Sequence, residues 1–481
     1  MIRLITDTPE FFIDLSDVVR LFFGDVTVSP DEGETVICHA AHQEGELWID
    51  RWTSGECEFT TRRPAAGADE LEMKRFRKRT VKIGLYELLK QLTGMRPPWG
   101  SLTGIRPTRL LYEAMEDGMS RPEAVEFLTK EFDVTPEKAG LLGEIAEMQE
   151  GVRDLPAGMF DLYIGIPFCT TRCSYCSFSS GEIGRGKLVE PYVEALLSEI
   201  DQAAQLMREK GLKLRAGYIG GGTPTSISCG QLEKILASAQ EKFPGAVEWT
   251  VEAGRPDTID EDKLRMLKDR AVTRISVNPQ TFSDETLRLI GRAHTGADTL
   301  RAYELARKIG FDDINMDLIA ALPGENMEDF RRTLEIVTGL APESITVHSL
   351  AIKRSSKLHE RMHVEEGMHN QVSAPEAQAM IAYARELLTA GGWKPYYLYR
   401  QKYMAGNLEN VGYARPGKAC LYNIGNMEET ASVLALGAGA ITKWLFPRQL
   451  RIERAPNVKN IEQYIARVDE MVRRKRELIF S

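Results

Sequence analysis

The chain has 481 residues, 43% of them apolar and 27% charged, a length that implies more than one domain and a mixture typical of soluble globular proteins. Its net charge of −9 sets the whole-molecule field against nucleic acid, and no apolar stretch is long enough to span a bilayer. Acidic residues come early, at Asp7, Glu10 and Asp14, so a signal peptide is not expected and the cytoplasm is the expected compartment.

Residues 1–155 alternate short apolar runs, Thr35–Ala40 and Glu46–Trp52, with polar turns, then become helical from about Glu70. They are expected to form an N-terminal α+β domain, to which no catalytic motif assigns a role. Pro97-Pro98-Trp99-Gly100-Ser101 and Arg106-Pro107 break its helical pattern into short pieces. Cys38, His39, His42 and Cys57 fit no zinc-binding spacing and read as ordinary strand residues. The basic run Lys74, Arg75, Arg77, Lys78, Arg79 and Lys82 reads as a solvated helix face.

From Asp161 the rhythm changes to strand, loop and helix, repeated. The expected strands are Asp161–Pro167, Ala216–Gly220, Val247–Ala253, Thr273–Asn278, Asp312–Ile319 and Glu343–Leu350. Helical patterns fall between them, at Pro191–Lys210, Gly230–Lys242, Asp260–Asp269, Asp284–Ile290 with Asp298–Lys308, and Asn326–Gly339. Such alternation implies parallel pairing with right-handed crossovers. Six units rather than eight point to an α/β fold, an open, partial (β/α)6 barrel over residues 156–370. Its chemistry is expected in the loops after the strands' C-terminal ends. Residues 371–481, a helix and then a tyrosine-rich stretch holding Tyr396, Tyr397, Tyr399, Tyr403, Tyr413 and Tyr422, are expected to form a C-terminal α+β subdomain covering the substrate side.

Three of the seven cysteines lie within eight residues, on the loop after the first expected strand: Cys169, Cys173 and Cys176, spaced C-x3-C-x2-C. An odd count with such clustering makes a poor disulfide framework and a good ligand set in a reducing compartment. Iron–sulfur clusters ordinarily take four thiolates. Three in one loop leave one iron free to bind something else, the logic of the open position on a catalytic zinc. A zinc site would need a fourth ligand, and neither a second C-x2-C nor a nearby His supplies it. Arg172 adds positive charge beside the thiolates.

The triplet, with an aromatic residue before its third Cys, resembles the signature of radical S-adenosylmethionine (SAM) enzymes. Tyr163-x-x-x-Pro167-Phe168-Cys169, followed by Gly220-Gly221-Gly222-Thr223-Pro224-Thr225, resembles oxygen-independent coproporphyrinogen III oxidase and its relatives. The N-terminal extension and the Gly165-Ile166-Pro167-Phe168-Cys169 variant look closest to the HemZ branch of that family. The resemblance runs from about Asp161 to the C-terminus.

It implies a [4Fe–4S] cluster on the three cysteines, with SAM on its fourth iron. Tyr163 matches the tyrosine that packs on the SAM sulfonium, where an aromatic face favours a cation. Gly221, Gly222 and Thr223 match the glycine-rich turn near the amino-acid end of SAM, where missing side chains let the backbone approach. Glu252 matches the carboxylate that pairs with the SAM ammonium. Gln280 and Arg292 match contacts to the ribose and carboxylate, Asp317 the acid that accepts from the ribose, and Ala351 a backbone contact to adenine.

The chain departs from typical oxidases at Gly165, where they carry His, and at Ser177-Phe178, where they carry Gly-Cys. In the family reaction a 5′-deoxyadenosyl radical takes a hydrogen from each of two propionate side chains, and each then loses one CO₂ and one electron to become a vinyl group, converting coproporphyrinogen III to protoporphyrinogen IX. No side chain need act as a base, so Lys353 and Arg354, after the sixth strand, are expected to serve catalysis by holding propionates, with Arg400 and Lys402 next. The partners so implied are a tetrapyrrole substrate and an electron donor such as flavodoxin or ferredoxin. Two other tasks stay open: a radical tetrapyrrole methyltransferase or ring-opening enzyme, and a heme-binding chaperone with no decarboxylase activity. His348, His359, His363 and His369 would be the chaperone's candidate axial ligands, although the same residues read first as ordinary surface histidines.

Overall fold

The computed structural model describes residues 1–481 except 25, 68, 105, 177, 179, 352–371, 402–407 and 447–450. Among the expected functional residues, Lys353, Arg354, His359, His363, His369, Lys402 and Tyr403 lie outside the described set. The chain divides into two compact units, Met1–Ala146 and Glu147–Ser481.

The first unit is built on a five-stranded sheet. Ile2–Thr6 runs parallel to both Val28–Ser29 and Thr35–Glu44, and Leu47–Ser54 and Cys57–Pro64 extend it as an antiparallel meander. Helices Phe12–Phe23 and Glu70–Thr93 supply Leu15, Val18, Val81, Leu85 and Leu88, which share one buried core with Leu4, Ile37 and Trp52 of the sheet. The longer helix starts where the Asp69 side chain accepts from Glu72 N–H and stops at Gly94, whose left-handed backbone suits glycine. His39 is a core residue. Its ring stacks on Trp52 at 4.1 Å, and its nitrogens bond Asp50 Oδ1 and Thr6 Oγ1, each at 2.9 Å. The basic run spreads along the second helix: Lys78 pairs with Asp14 and Arg77 covers the Trp48 ring, while Lys74 and Arg75 are exposed.

The second unit carries an eleven-stranded sheet. Six parallel strands lie side by side in chain order: Met159–Ile166, Lys213–Gly221, Glu248–Val251, Arg274–Ser276, Ile314–Ala320 and Ser344–Ser349. One set of alternate strand positions is apolar and buried, as at Leu162, Ile164, Ile314, Met316 and Leu318, while the other set, with Tyr163, Asn315 and Asp317, lies on the face of the site. Helices Val189–Lys210, Cys229–Lys242, Glu261–Asp269, Gly296–Ile309 and Met327–Leu340 make the crossovers. Capping boxes at Ser228 with Gln231, Thr295 with Asp298 and Asn326 with Asp329 fix three of their starts.

Strands after residue 390 join this sheet instead of building a separate one. Val433–Leu436 pairs parallel with the first strand, and Asn410–Ala414 pairs antiparallel with the sixth. Beyond them lie Ile441–Phe446 with Arg451–Pro456 on one flank and Lys394–Tyr399 on the other. The reason is hydrogen-bond demand. An open barrel leaves backbone groups unpaired along its first and last strands, and C-terminal segments satisfy both edges. The two flanks do not pair among the described residues, so the sheet stays open. The last helix, Val468–Phe480, is anchored by a buried network: Glu199 accepts from Lys475 Nζ at 2.7 Å, Tyr464 OH at 2.6 Å and Gly437 N–H at 2.7 Å.

Candidate functional site

The C-terminal ends of the parallel strands surround a cavity of ≈ 390 Å³. Cys169, Cys173 and Cys176 line it, together with Gly221, Gly222, Thr223, Glu252, Gln280, Arg292, Asp317 and Ala351. Every expected cofactor contact within the described residues therefore faces one space, except Tyr163.

Tyr163 and Tyr218 are register partners on adjacent strands, so both project from one face of the sheet. Tyr218 lines the cavity, and Tyr163 stacks beside it at 6.2 Å between ring centres. Tyr422 stacks on Tyr218 at 4.5 Å. Tyr163 thus stands beside the cavity-lining ring of Tyr218. Arg400 does not line the cavity either. It is buried, and that burial lowers its guanidinium to about 10, opposed by the charge of Glu409.

The cysteine loop leaves the first strand through Pro167 and is held by the glycine turn after the second. Gly222 N–H donates to Ile166 O and Thr223 N–H to Phe168 O, each at 2.8 Å, and Thr223 Oγ1 lies 3.6 Å from Cys169 Sγ. A Cβ on Gly222 would stand 2.6 Å from Phe168 O and 2.9 Å from Cys169 Sγ, so only glycine fits there. Gly221 has φ of 114°, a second reason for glycine in this turn.

No three His, Cys, Asp or Glu side chains among the described residues converge on a single ion. A cubane cluster asks for something different, since each thiolate takes a separate iron corner. The donor set fits: three thiols from one loop face one cavity, with Arg172 and Arg292 alongside, whose Nε atoms are both buried without a partner. These residues would hold the cluster and leave one corner open.

Across the cavity sit two carboxylates with opposite character. Glu252 accepts from Tyr218 OH and packs against Gly220, where any Cβ would fall 2.9 Å from Glu252 Oε2. Burial lifts its carboxyl to about 7. The charge of Asp317 adds to this, and donors from Tyr218 and Gly221 oppose it. Burial also pushes Asp317 upward, but His348 and the Asn315 amide outweigh it and hold this carboxyl below its ordinary range. Asn278 Nδ2 and Asn315 Nδ2 each donate to Asp317 at 2.7 Å, and His348 Nε2 lies 3.9 Å away.

Gln280 has φ of 67°, in a region that costs a non-glycine residue free energy. Its backbone bonds Asp317 O and Ile319 N–H, so the fifth strand holds that conformation and its side chain faces the cavity. Arg292 donates to the carbonyls of Asn278 and Gly254 and to Tyr175 OH, at 3.0, 3.3 and 3.2 Å. Tyr175 is the aromatic residue before the third Cys.

Sequence reasoning did not single out Tyr218, Arg255, Asn278 or Asn315, all of which line the cavity. Strand parity is a signal that finds Tyr218, two residues before Gly220 on the face shared with Tyr163. The two asparagines sit two positions before Gln280 and Asp317.

A profile for the Radical SAM superfamily matches residues 163–337. The chain is 39% identical over 399 residues, 82% of its own length and 79% of the relative's, to an oxygen-independent coproporphyrinogen-III oxidase-like protein, HemZ, of Bacillus subtilis (strain 168). It is 31% identical to the heme chaperone HemW of Lactococcus lactis subsp. lactis (strain IL1403), covering 63% of this chain and 76% of that one. Among solved structures, coproporphyrinogen III oxidase (HemN) from Escherichia coli superposes with a TM-score of 0.54 at 24% identity, over 68% of this chain and 73% of that one, which shows the shared fold.

Proposed function

The chain belongs to the radical SAM superfamily, in the coproporphyrinogen oxidase-like group that includes HemZ, and from that membership we propose that it decarboxylates coproporphyrinogen III to protoporphyrinogen IX without oxygen. The superfamily works with a [4Fe–4S] cluster and SAM. The observation that carries the proposal is one shared cavity. Three thiols face it beside two carboxylates, while the guanidiniums of Arg172 and Arg292 supply positive charge in an otherwise acidic protein.

When bound, the cluster and SAM supply one-electron reduction and hydrogen-atom abstraction. In this reading Cys169, Cys173 and Cys176 hold the cluster and the Gly221-Gly222-Thr223 turn cradles the amino-acid end of SAM. Glu252 faces its ammonium, Gln280 and Arg292 take the carboxylate and ribose, Asp317 accepts from the ribose, and Ala351 meets adenine. Tyr163 backs Tyr218 through the ring stack. Lys353 and Arg354 fix propionates beside the reacting carbon, and residues 371–481 close the substrate side. Each propionate side chain loses one hydrogen atom, one CO₂ and one electron and becomes a vinyl group; a redox partner takes the electron.

A second reading, a heme-binding chaperone, is favoured by the HemW relatives and by His348, Tyr399 and Met427 on the cavity wall, side chains able to ligate heme iron. Incubation with SAM, reductant and coproporphyrinogen III under nitrogen, with products identified by mass spectrometry, decides. Protoporphyrinogen IX with two CO₂ per substrate supports the decarboxylase. Stoichiometric heme binding with no turnover replaces it with the chaperone.

A further inference from the structure

The cysteine loop makes few bonds of its own. Within it, Cys176 N–H donates to Cys173 O at 3.2 Å. Fixing each loop residue costs backbone entropy, so an eight-residue ligand loop needs outside support. The glycine turn braces its start, and its end is held by Ser174 N–H donating to Ile290 O at 2.9 Å. The middle, Thr170 and Thr171, reaches a different element.

That element is the segment after the third strand. Arg255 Nε and Nη2 donate to the two oxygens of Asp257 at 3.1 and 3.2 Å, a bidentate pair, and the Arg255 side chain is only 4% exposed. The outward bonds of the pair go to the cysteine loop. Arg255 Nη1 donates to Thr171 O at 2.8 Å, and Asp257 Oδ2 accepts from Thr170 Oγ1 at 2.9 Å. His294 Nδ1, fully buried, stands 3.7 Å from Asp257 Oδ1 on the far side. Thr171 Oγ1 in turn donates to Gly291 O at 3.0 Å, which ties the same point to the turn carrying Arg292.

We propose that Arg255 and Asp257 are positioning residues that hold the middle of the cysteine loop in its ligating shape and keep Arg172 beside the thiols. The proposal rests on the assignment of the cluster to Cys169, Cys173 and Cys176. Neither residue touches a thiol; their effect passes through the backbone of Thr170 and Thr171. A planar fork is required, because one guanidinium must meet both carboxylate oxygens and a loop carbonyl together, which a lysine ammonium cannot reproduce. A purely structural buried pair would stabilise the fold and leave the cluster's environment alone.

The test uses anaerobically reconstituted full-length holoenzyme. Cluster loss to a chelator is timed by visible absorption, and the low-temperature electron paramagnetic resonance of the reduced cluster is recorded with and without SAM. Arg255→Gln and Arg255→Lys are expected to lose the cluster about tenfold faster than wild type and to shift the resonance. Thr170→Val, a near-isosteric change at an exposed position that cuts the Asp257 link alone, is expected to lose it several-fold faster with unchanged thermal melting. It keeps the proposal testable if the Arg255 variants do not fold. Wild-type rates and spectra in Thr170→Val and in any folded Arg255 variant would overturn the proposal. Cys173→Ala is run alongside: loss of its iron with a normal Arg255→Gln refutes the positioning role alone, whereas retention of its iron refutes the cluster assignment beneath it.

Discussion

The two ends of the parallel sheet bury charge in opposite ways. At the N-terminal end every buried charge meets its complement. Arg215 grips Asp161 through two bonds of 3.0 and 2.6 Å, and Arg274 bridges Asp313 and Glu248 while donating to Lys418 O. At the C-terminal end the carboxylates of Glu252 and Asp317 face the cavity with amides, a phenol and a half-buried imidazole around them, and Arg292 donates to carbonyls and a phenol. One end is closed electrostatically, while at the other Glu252 and Asp317 have no Arg or Lys partner among the described residues. The difference separates charge that supports the fold from charge that serves a ligand, which position on the sheet alone would not do.

The strongest way to break this contrast is at the thiols. Replacing Cys169, Cys173 or Cys176 with Ala is expected to abolish the cluster and all SAM cleavage; full iron content and unchanged visible absorption in any one variant would remove that residue from the ligand set. Next comes the closed end. Arg274→Leu strands two buried carboxylates and should cost about 3–5 kcal/mol of stability. Denaturant melts measure it, and SAM affinity of the folded fraction should not move.

At the open end the expected pattern inverts. Glu252→Gln or Asp317→Asn should weaken SAM binding roughly ten- to hundredfold, with little change in melting. Calorimetry checks this, and unchanged affinity in both would take them out of the site. The Glu252 carboxyl adds a pH signature. With its pKa raised to about 7, it is protonated in the free protein at lower pH, and an ammonium ligand favours the ionised form. Binding below about pH 7 should therefore release a proton, and affinity should fall by up to about tenfold per pH unit as pH drops further. Above pH 7 the dependence should flatten, and Glu252→Gln should lack it. The smallest effect expected is at Gly220→Ala, where the new Cβ would press on Glu252 Oε2 and Tyr218 Cε1. SAM affinity should fall several-fold while the cluster's absorption stays normal.

Local patterning made much of this legible beforehand. The six strands and their crossover helices lie within a few residues of where hydrophobic periodicity, caps and glycine breaks put them, because alternate positions of each strand and one stripe of each helix must be apolar. The cysteine spacing and the glycine turn were readable because each is a short motif just past a strand, and Glu252, Gln280, Arg292 and Asp317 because they follow in order along successive units.

Tertiary structure decided what depends on register and on which edge a segment reaches. Tyr218 joins the cavity wall because parallel pairing sets its ring beside that of Tyr163, on the same face of the sheet. Val433–Leu436 joins the first strand, and Asn410–Ala414 the sixth, because an open sheet exposes unpaired backbone groups at both edges, and composition does not say which segment will satisfy them. No local pattern marks Arg255 and Asp257; that their remaining bonds close on Thr170 and Thr171 follows from the segment after the third strand lying beside the cysteine loop. Sequence alone determined the elements and the chemistry that each end could carry. Long-range burial and backbone hydrogen-bond satisfaction decided which of those side chains meet.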